Sequence, residues 1–130
     1  MTKHTILIVD DDTLILNTLK KRFQSRDIEA FAASTPDEAK RLLDRLVPEV
    51  LILDLLLTSE DGSSGILDYI KSQERLHNVP IIVLTNLDKP ELKRMLLGQG
   101  VKEYLIKGSM TIDELYEKVV GYLEPKGSAK

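Results

Sequence analysis

The stretch Ile6-Leu7-Ile8-Val9-Asp10-Asp11-Asp12 sets four apolar residues directly against three aspartates. An unbroken Ile/Leu/Val run shows no polar alternation, so it suits a strand buried on both faces. The pattern recurs twice. Val50-Leu51-Ile52-Leu53 runs into Asp54, and Ile81-Ile82-Val83-Leu84 runs into Thr85. Two further strand-like segments carry charge, residues 28–33 with Glu29 and residues 101–106 with Lys102 and Glu103. Charged residues in a strand place it at the edge of a sheet. Lys107 follows directly on the last segment.

Helical spacing fills the intervals. Ile15, Leu19 and Phe23 recur every fourth residue, which predicts the face of a first helix. Thr35-Pro36-Asp37-Glu38 reads as a helix start, with Thr35 capping, Pro36 in the first turn and Glu38 returning the capping bond. The stripe Ala39, Leu42, Leu43, Leu46 follows it. A third helix carries Ile66, Leu67 and Ile70. A fourth begins near Pro90, carries Leu92, Met95 and Leu96, and stops by Gly98 or Gly100. Thr111-Ile112-Asp113-Glu114 is a second capping box, opening a helix through Leu115, Val119 and Leu123.

The order βαβαβαβαβα predicts an α/β protein with five parallel strands and helices on both faces. Right-handed crossovers and three central apolar strands favour the doubly wound, flavodoxin-like order 2-1-3-4-5. At 130 residues the chain fits one domain, expected over residues 1–124 with a tail at 125–130.

Composition narrows the chemistry. There is no cysteine, which excludes disulfides, thiol nucleophiles and cysteine-based metal sites. Lys+Arg is 18 against Asp+Glu 21, a formal net charge of −3 that is unfavourable for sequence-independent nucleic-acid binding. No apolar run approaches the roughly 18 residues of a membrane span. Residues 1–4 lead straight into a strand, without the apolar core of a signal peptide, so a cytoplasmic protein is expected.

In a sheet of this kind the ligand crevice lies beyond the carboxyl ends of the strands. Asp10, Asp11, Asp54, Thr85 and Lys107 all follow apolar runs, so all are expected at that edge. Two carboxylates about 4 Å apart repel by about 4 kcal/mol at an effective dielectric near 20. Lys107 offsets part of this. Oxygen-only ligands without a closed cage suit Mg²⁺ for the rest. Asp12 is expected to cap the first helix.

These residues, in this order on these strand ends, resemble the receiver domain of bacterial two-component response regulators, over nearly the whole chain. The matching segments are residues 6–12, 51–54, 80–85 and 104–107. The resemblance implies that Asp54 is the phosphoacceptor and that Asp11 binds Mg²⁺ directly, Asp10 largely through water. It implies the backbone carbonyl of Leu56 as a further ligand, and Thr85 and Lys107 on the phosphoryl oxygens. Tyr104 occupies the aromatic switch position, turning inward once Thr85 moves. The donor implied is a phosphohistidine on a histidine kinase or phosphotransfer protein. The implied output is a change in the packing of the fourth helix, fifth strand and fifth helix, read by an output protein not specified by the sequence. That face carries Lys89, Lys93, Lys102 and Lys118. No nucleic-acid module and no membrane contact are expected in this chain, which would be a monomer or a phosphorylation-dependent dimer. Such a domain assists its own phosphorylation without turning over a separate substrate.

The chain departs from the family pattern in places. Thr58 and Gly108 stand where prolines are common, Asn86 replaces a small residue, and Gly62 and Gly65 suggest a short insertion within residues 58–65. Leu56 and Leu87 lie two beyond Asp54 and Thr85, positions that the resemblance sets beside the path of hydrolytic water; apolar side chains at both imply a slowly decaying acyl phosphate. His4 and His77 have no ligand spacing and are expected to face solvent. A haloacid-dehalogenase-like phosphatase needs a second aspartate where Leu56 stands. A flavin nucleotide would meet three aspartates in its phosphate loop. A phosphorylation-independent adaptor on the same fold is the remaining alternative.

Overall fold

The computed structural model describes residues 3–55 and 65–123. In chain order the elements are β1 (His4–Val9), α1 (Thr13–Phe23), β2 (Ile28–Ala33), α2 (Pro36–Leu43), β3 (Val50–Leu53), α3 (Ile66–Ser72), a 3₁₀ turn (Glu74–Leu76), β4 (Ile81–Thr85), α4 (Pro90–Gly98), β5 (Glu103–Ile106) and α5 (Ile112–Val120). The strands form one parallel sheet in the order β2-β1-β3-β4-β5, as the sequence predicts. Ile6 pairs with Val50, and Val9 with Leu53, so β1 and β3 end level.

Strand side chains alternate between faces, and each face has its own core. Leu7, Val9, Leu51, Leu53 and Val83 meet Ala39, Leu43, Ile66, Leu67, Ile70 and Leu96 from α2, α3 and α4. Ile6, Ile8, Val50, Ile52, Ile82 and Leu84 meet Leu16, Leu19, Phe23, Leu115 and Val119 from α1 and α5. Each Val, Leu, Ile or Phe side chain among them contributes about 1.5–3 kcal/mol on burial. Through their buried stretches, residues 6–9, 50–53 and 82–84, the central strands are wholly apolar.

The helix starts follow their caps. Asp12 accepts from the Leu14 and Ile15 amides, and Thr35 from the Glu38 amide. Thr111 and Glu114 form a reciprocal capping box. Several details differ from the sequence expectation. Glu38 reaches past Thr35 to the Ser34 amide at 2.8 Å. The buried face of α1 is Leu16, Leu19 and Phe23, with Ile15 at its margin. Helix α2 ends at Leu43 and α5 at Val120, so Leu46 and Leu123 lie beyond them. On α4 only Leu96 is buried, and Met95 is 42% exposed. Strand β5 starts at Glu103, two residues later than expected.

His4 corrects another expectation. It opens β1, and its Nδ1 lies 3.0 Å from the Glu49 carboxylate, half-buried, because Glu49 is drawn onto the start of β1 by the Thr5 amide. His77 is exposed as expected, with Nε2 2.8 Å from the Lys71 carbonyl.

Candidate phosphoacceptor site

Among the described residues only three polar side chains are buried: Asp10 (2% exposed), Asp54 (1%) and Thr85 (0%). They stand at the carboxyl ends of β1, β3 and β4. Burying a charge without compensation is costly, so each must be held. Lys107, at the end of β5, places its Nζ 2.8 Å from Asp10 Oδ2 and 3.0 Å from Asp54 Oδ2. Its backbone amide donates to the Thr85 carbonyl at 2.8 Å, which anchors the ammonium stem beside β4. Asp10 also accepts from the Asp12 amide at 2.9 Å. The Asp10 amide donates to Ala33 and the Asp54 amide to Val9, continuing the sheet into the site.

Asp11 is exposed on the rim. One carboxylate oxygen from each of Asp10, Asp11 and Asp54 lies within 4.8 Å of the others. Three carboxylates thus face one ammonium. Burial raises the Asp10 pKa above its ordinary value, and the charge of Asp54 adds to this, against the opposing Lys107 and Asp12 hydrogen bonds. Burial alone lowers Lys107, but its hydrogen bonds and charge pairing with Asp10 and Asp54 outweigh that, and its pKa is raised. Lys107 therefore stays cationic, and negative charge remains in excess at this edge. Three hard oxygen donors with an open side fit a divalent cation of the Mg²⁺ type, which needs few protein ligands.

The structure also ties Thr85 to Tyr104. The Leu87 amide donates to Thr85 Oγ1 at 3.2 Å, and the Tyr104 hydroxyl donates to the Leu87 carbonyl at 2.6 Å. Tyr104 is 5% exposed. The ring is turned inward in this structure, with its hydroxyl on the Leu87 carbonyl. Burial, with the charge of Asp88 added, raises its pKa. Leu87 is half-buried and Asn86 exposed. Gly108 takes φ 85°, a left-handed value open to glycine and closed to the proline common in the family. Leu56, Thr58 and Gly62, with the suspected insertion up to residue 64, lie outside the described residues. Of the expected site residues, Asp10, Asp11, Asp54 and Lys107 come together, and Thr85 joins them through the Lys107 backbone. The Asp12 amide on Asp10 and the Leu87 peptide bridge were missed, because a backbone donor or acceptor has no signature in residue type.

Beside Lys107 an apolar groove of about 280 Å³ runs between α1 and the start of α5, lined by Leu14, Leu19, Met110, Ile112 and Leu115. Leu14 is 75% exposed and Ile112 40%.

Residues 6–120 match the response regulator receiver domain family. The receiver domain of Francisella response regulator 1452 superposes with a TM-score of 0.78 at 30% identity, over 92% of this chain and 96% of that one. A signal receiver domain from Vibrio parahaemolyticus, 24% identical, has the same fold, with a TM-score of 0.80 over 93% of this chain and 90% of that one. The Bacillus subtilis transcriptional regulatory protein YdfI is 32% identical over 104 residues, 78% of this chain and 47% of that protein. A protein-glutamate methylesterase/protein-glutamine glutaminase of Hydrogenovibrio crunogenus is 28% identical over 121 residues, 90% of this chain and 31% of that protein. This chain spans less than half the length of these two curated relatives. Among the described residues no helix is long and apolar enough to cross a membrane.

Proposed function

Because the chain belongs to the response regulator receiver domain family, we propose that it takes a phosphoryl group onto Asp54 from a phosphohistidine donor in a cytoplasmic two-component pathway. The observation that carries this reading is the Lys107 ammonium held between the buried carboxylates of Asp10 and Asp54, with Asp11 at the rim.

A carboxylate is a competent nucleophile toward phosphorus once its charge is managed. Lys107 holds Asp54 in place and balances it against Asp10. As the donor's N–P bond breaks and the Asp54 O–P bond forms, negative charge moves onto the phosphoryl oxygens, where Lys107 is positioned to donate. Asp10 and Asp11, with Asp54, would hold Mg²⁺, and the Leu56 carbonyl is the further ligand we assign. The cation supplies neutralisation of the phosphoryl charge, the main requirement of such a transfer. The Thr85 hydroxyl accepts from Leu87 and keeps its own proton to donate to a phosphoryl oxygen. Shifting Thr85 pulls on the Leu87 peptide and so on Tyr104, which passes the change to α4, β5 and α5 for an output protein. The chain's role is that of a switch, not of a turnover enzyme. The groove at Leu14 and Ile112 gives a protein donor an apolar seat beside Lys107.

The test is acetyl phosphate with Mg²⁺, read by intact mass. Wild type gains one phosphoryl group, Asp54→Ala gains none, and chelation of the metal abolishes the gain. Addition of the group to Asp54→Ala, or none to wild type, overturns the assignment.

A further inference from the structure

At the opposite end of the sheet from the aspartates, α3 and α4 do not close on each other. Between their last turns lies a cavity of about 300 Å³, walled by Leu67, Ile70, Leu76, Val79, Leu96 and Val101. That volume is at the low end of ordinary small-molecule pockets. All but Val79 of these side chains are at most 7% exposed. The interior therefore offers an occupant apolar contact, and the mouth selects the polar group that the occupant carries.

At the mouth the acceptors are largely taken. The Ile70 and Lys71 carbonyls accept from the Gln73 amide and from His77 Nε2, and the Leu96 and Leu97 carbonyls from the Gln99, Gly100 and Val101 amides. Gln99 Oε1 accepts from Lys71 Nζ at 2.6 Å. The donors keep capacity. An ammonium has three hydrogens, and the neutral Gln99 amide is the partner of Lys71 among the described residues. Gln99 Nε2 adds two more hydrogens. Lys71 is exposed, and it is the one charged side chain among the described residues that line the cavity, with no aspartate or glutamate beside it. The negative ends of α3 and α4 oppose an anion here, but that field is carried by partial charges and is screened at an open mouth. Lys71 carries a full charge at the mouth itself.

We propose that this α3–α4 crevice binds a small monocarboxylate with an apolar body, an arylacetate in size and class. The body fills the apolar interior. The carboxylate stays at the wet mouth, where it keeps part of its hydration and accepts from Lys71 Nζ and Gln99 Nε2. Lys71 thereby exchanges a neutral acceptor for an ionised one, and charge-assisted hydrogen bonds of that kind are the stronger. The site shares no residue with the aspartate edge, so it stands or falls independently of the chemistry there.

The test is titration of the ¹⁵N-labelled chain with phenylacetate, phenylacetamide and phenethylamine, which share a ring and differ in charge. Phenylacetate is expected to give saturable shifts centred on the amides of Ile70, Lys71, Leu96, Gln99 and Val101. It is expected to bind roughly tenfold more tightly than the amide, with the amine weaker still. Lys71→Met changes an exposed position and leaves the core intact. It is expected to bring the acid down to the affinity of the amide while the amide itself is unchanged. Val79→Phe fills the cavity and is expected to abolish the shifts from all three; if that variant does not fold, the Lys71→Met comparison decides. Unsaturable or scattered shifts with phenylacetate overturn the site, as do shifts centred on the Asp54 and Lys107 amides. Amide or amine binding as tightly as the acid overturns the ligand class. A preference for the acid that survives Lys71→Met does the same.

Discussion

Lys107 sits between two buried carboxylates, and the consequences of removing either partner differ in sign. Lys107→Met leaves Asp10 and Asp54 facing each other in an apolar setting. Breaking a buried ion pair from one side costs about 3 kcal/mol, and that loss is expected by chemical denaturation in metal-free buffer. Asp10→Asn keeps the shape and the Asp12 hydrogen bond, while it removes a charge that burial and Asp54 disfavour. It is expected to gain about 1 kcal/mol at neutral pH, the familiar exchange of stability for function at an active site. The pH dependence follows. Native Asp10 holds its proton more tightly than the unfolded chain does, so its contribution favours the fold as pH falls toward the ordinary carboxylate range. That contribution is absent from the Asn variant. Leu56 and Leu87 carry a kinetic prediction. If these two positions flank the path of hydrolytic water, as the family resemblance implies, apolar side chains there leave that water unoriented, and slow decay of the phosphorylated state is expected once the donor is removed. Leu56→Asn combined with Leu87→Glu is expected to speed decay by about tenfold, a modest share of what positioned polar groups contribute. An unchanged decay rate would refute the role assigned to these two side chains.

Among the elements, β5 and the end of α5 are clamped by a half-buried network. The Tyr122 hydroxyl donates to Glu103 Oε2 at 2.7 Å, and Lys118 Nζ lies 3.8 Å from Glu103 Oε1. The hydrogen bond to Glu103, then burial and the Glu103 charge, push the Tyr122 phenol up to about 12. A raised phenol pKa contributes stability that is complete below the ordinary value near 10 and is lost as pH rises from there through about 12. Glu103→Gln should bring Tyr122 ionisation, followed by phenolate absorbance, back toward the ordinary value and remove that segment of the stability curve. Ionisation at the same pH in both proteins would exclude the clamp. The elements also show where sequence is informative. β1, β3 and β4 are legible because a doubly buried strand admits no polar residue until it leaves the core, and the residue that ends the run is then the site residue. α1 is less so, because Ile15 and Leu16 are both apolar and only tertiary packing chooses between them. His4 and Glu49 are far apart in the chain, and nothing in either residue type announces the pair. The inward Tyr104 depends on a backbone carbonyl, which every residue has.

At the scale of the whole molecule, the sheet separates two cores and gathers its buried polar groups at one edge. The α3–α4 cavity at the other edge was not legible, because its walls come from four separated segments, each of which reads as ordinary core. The aspartate edge was legible because charge among apolar runs is rare and its position on the strands is set by topology. A cation held at the same edge would couple its binding to global stability, since the unfolded chain does not bring Asp10, Asp11 and Asp54 together. A ligand that binds only the native state adds about 2.7 kcal/mol when present at a hundred times its Kd. Mg²⁺ is therefore expected to raise the unfolding free energy of wild type progressively with concentration. Asp11 is the member that separates this effect from folding itself, because it is exposed and buries no charge. Asp11→Asn should match wild type in chelator, within the roughly 0.5 kcal/mol of an ordinary surface change, yet lose most of the Mg²⁺-dependent gain. Equal Mg²⁺ stabilisation of both proteins in paired denaturation series would show that the cation binds elsewhere.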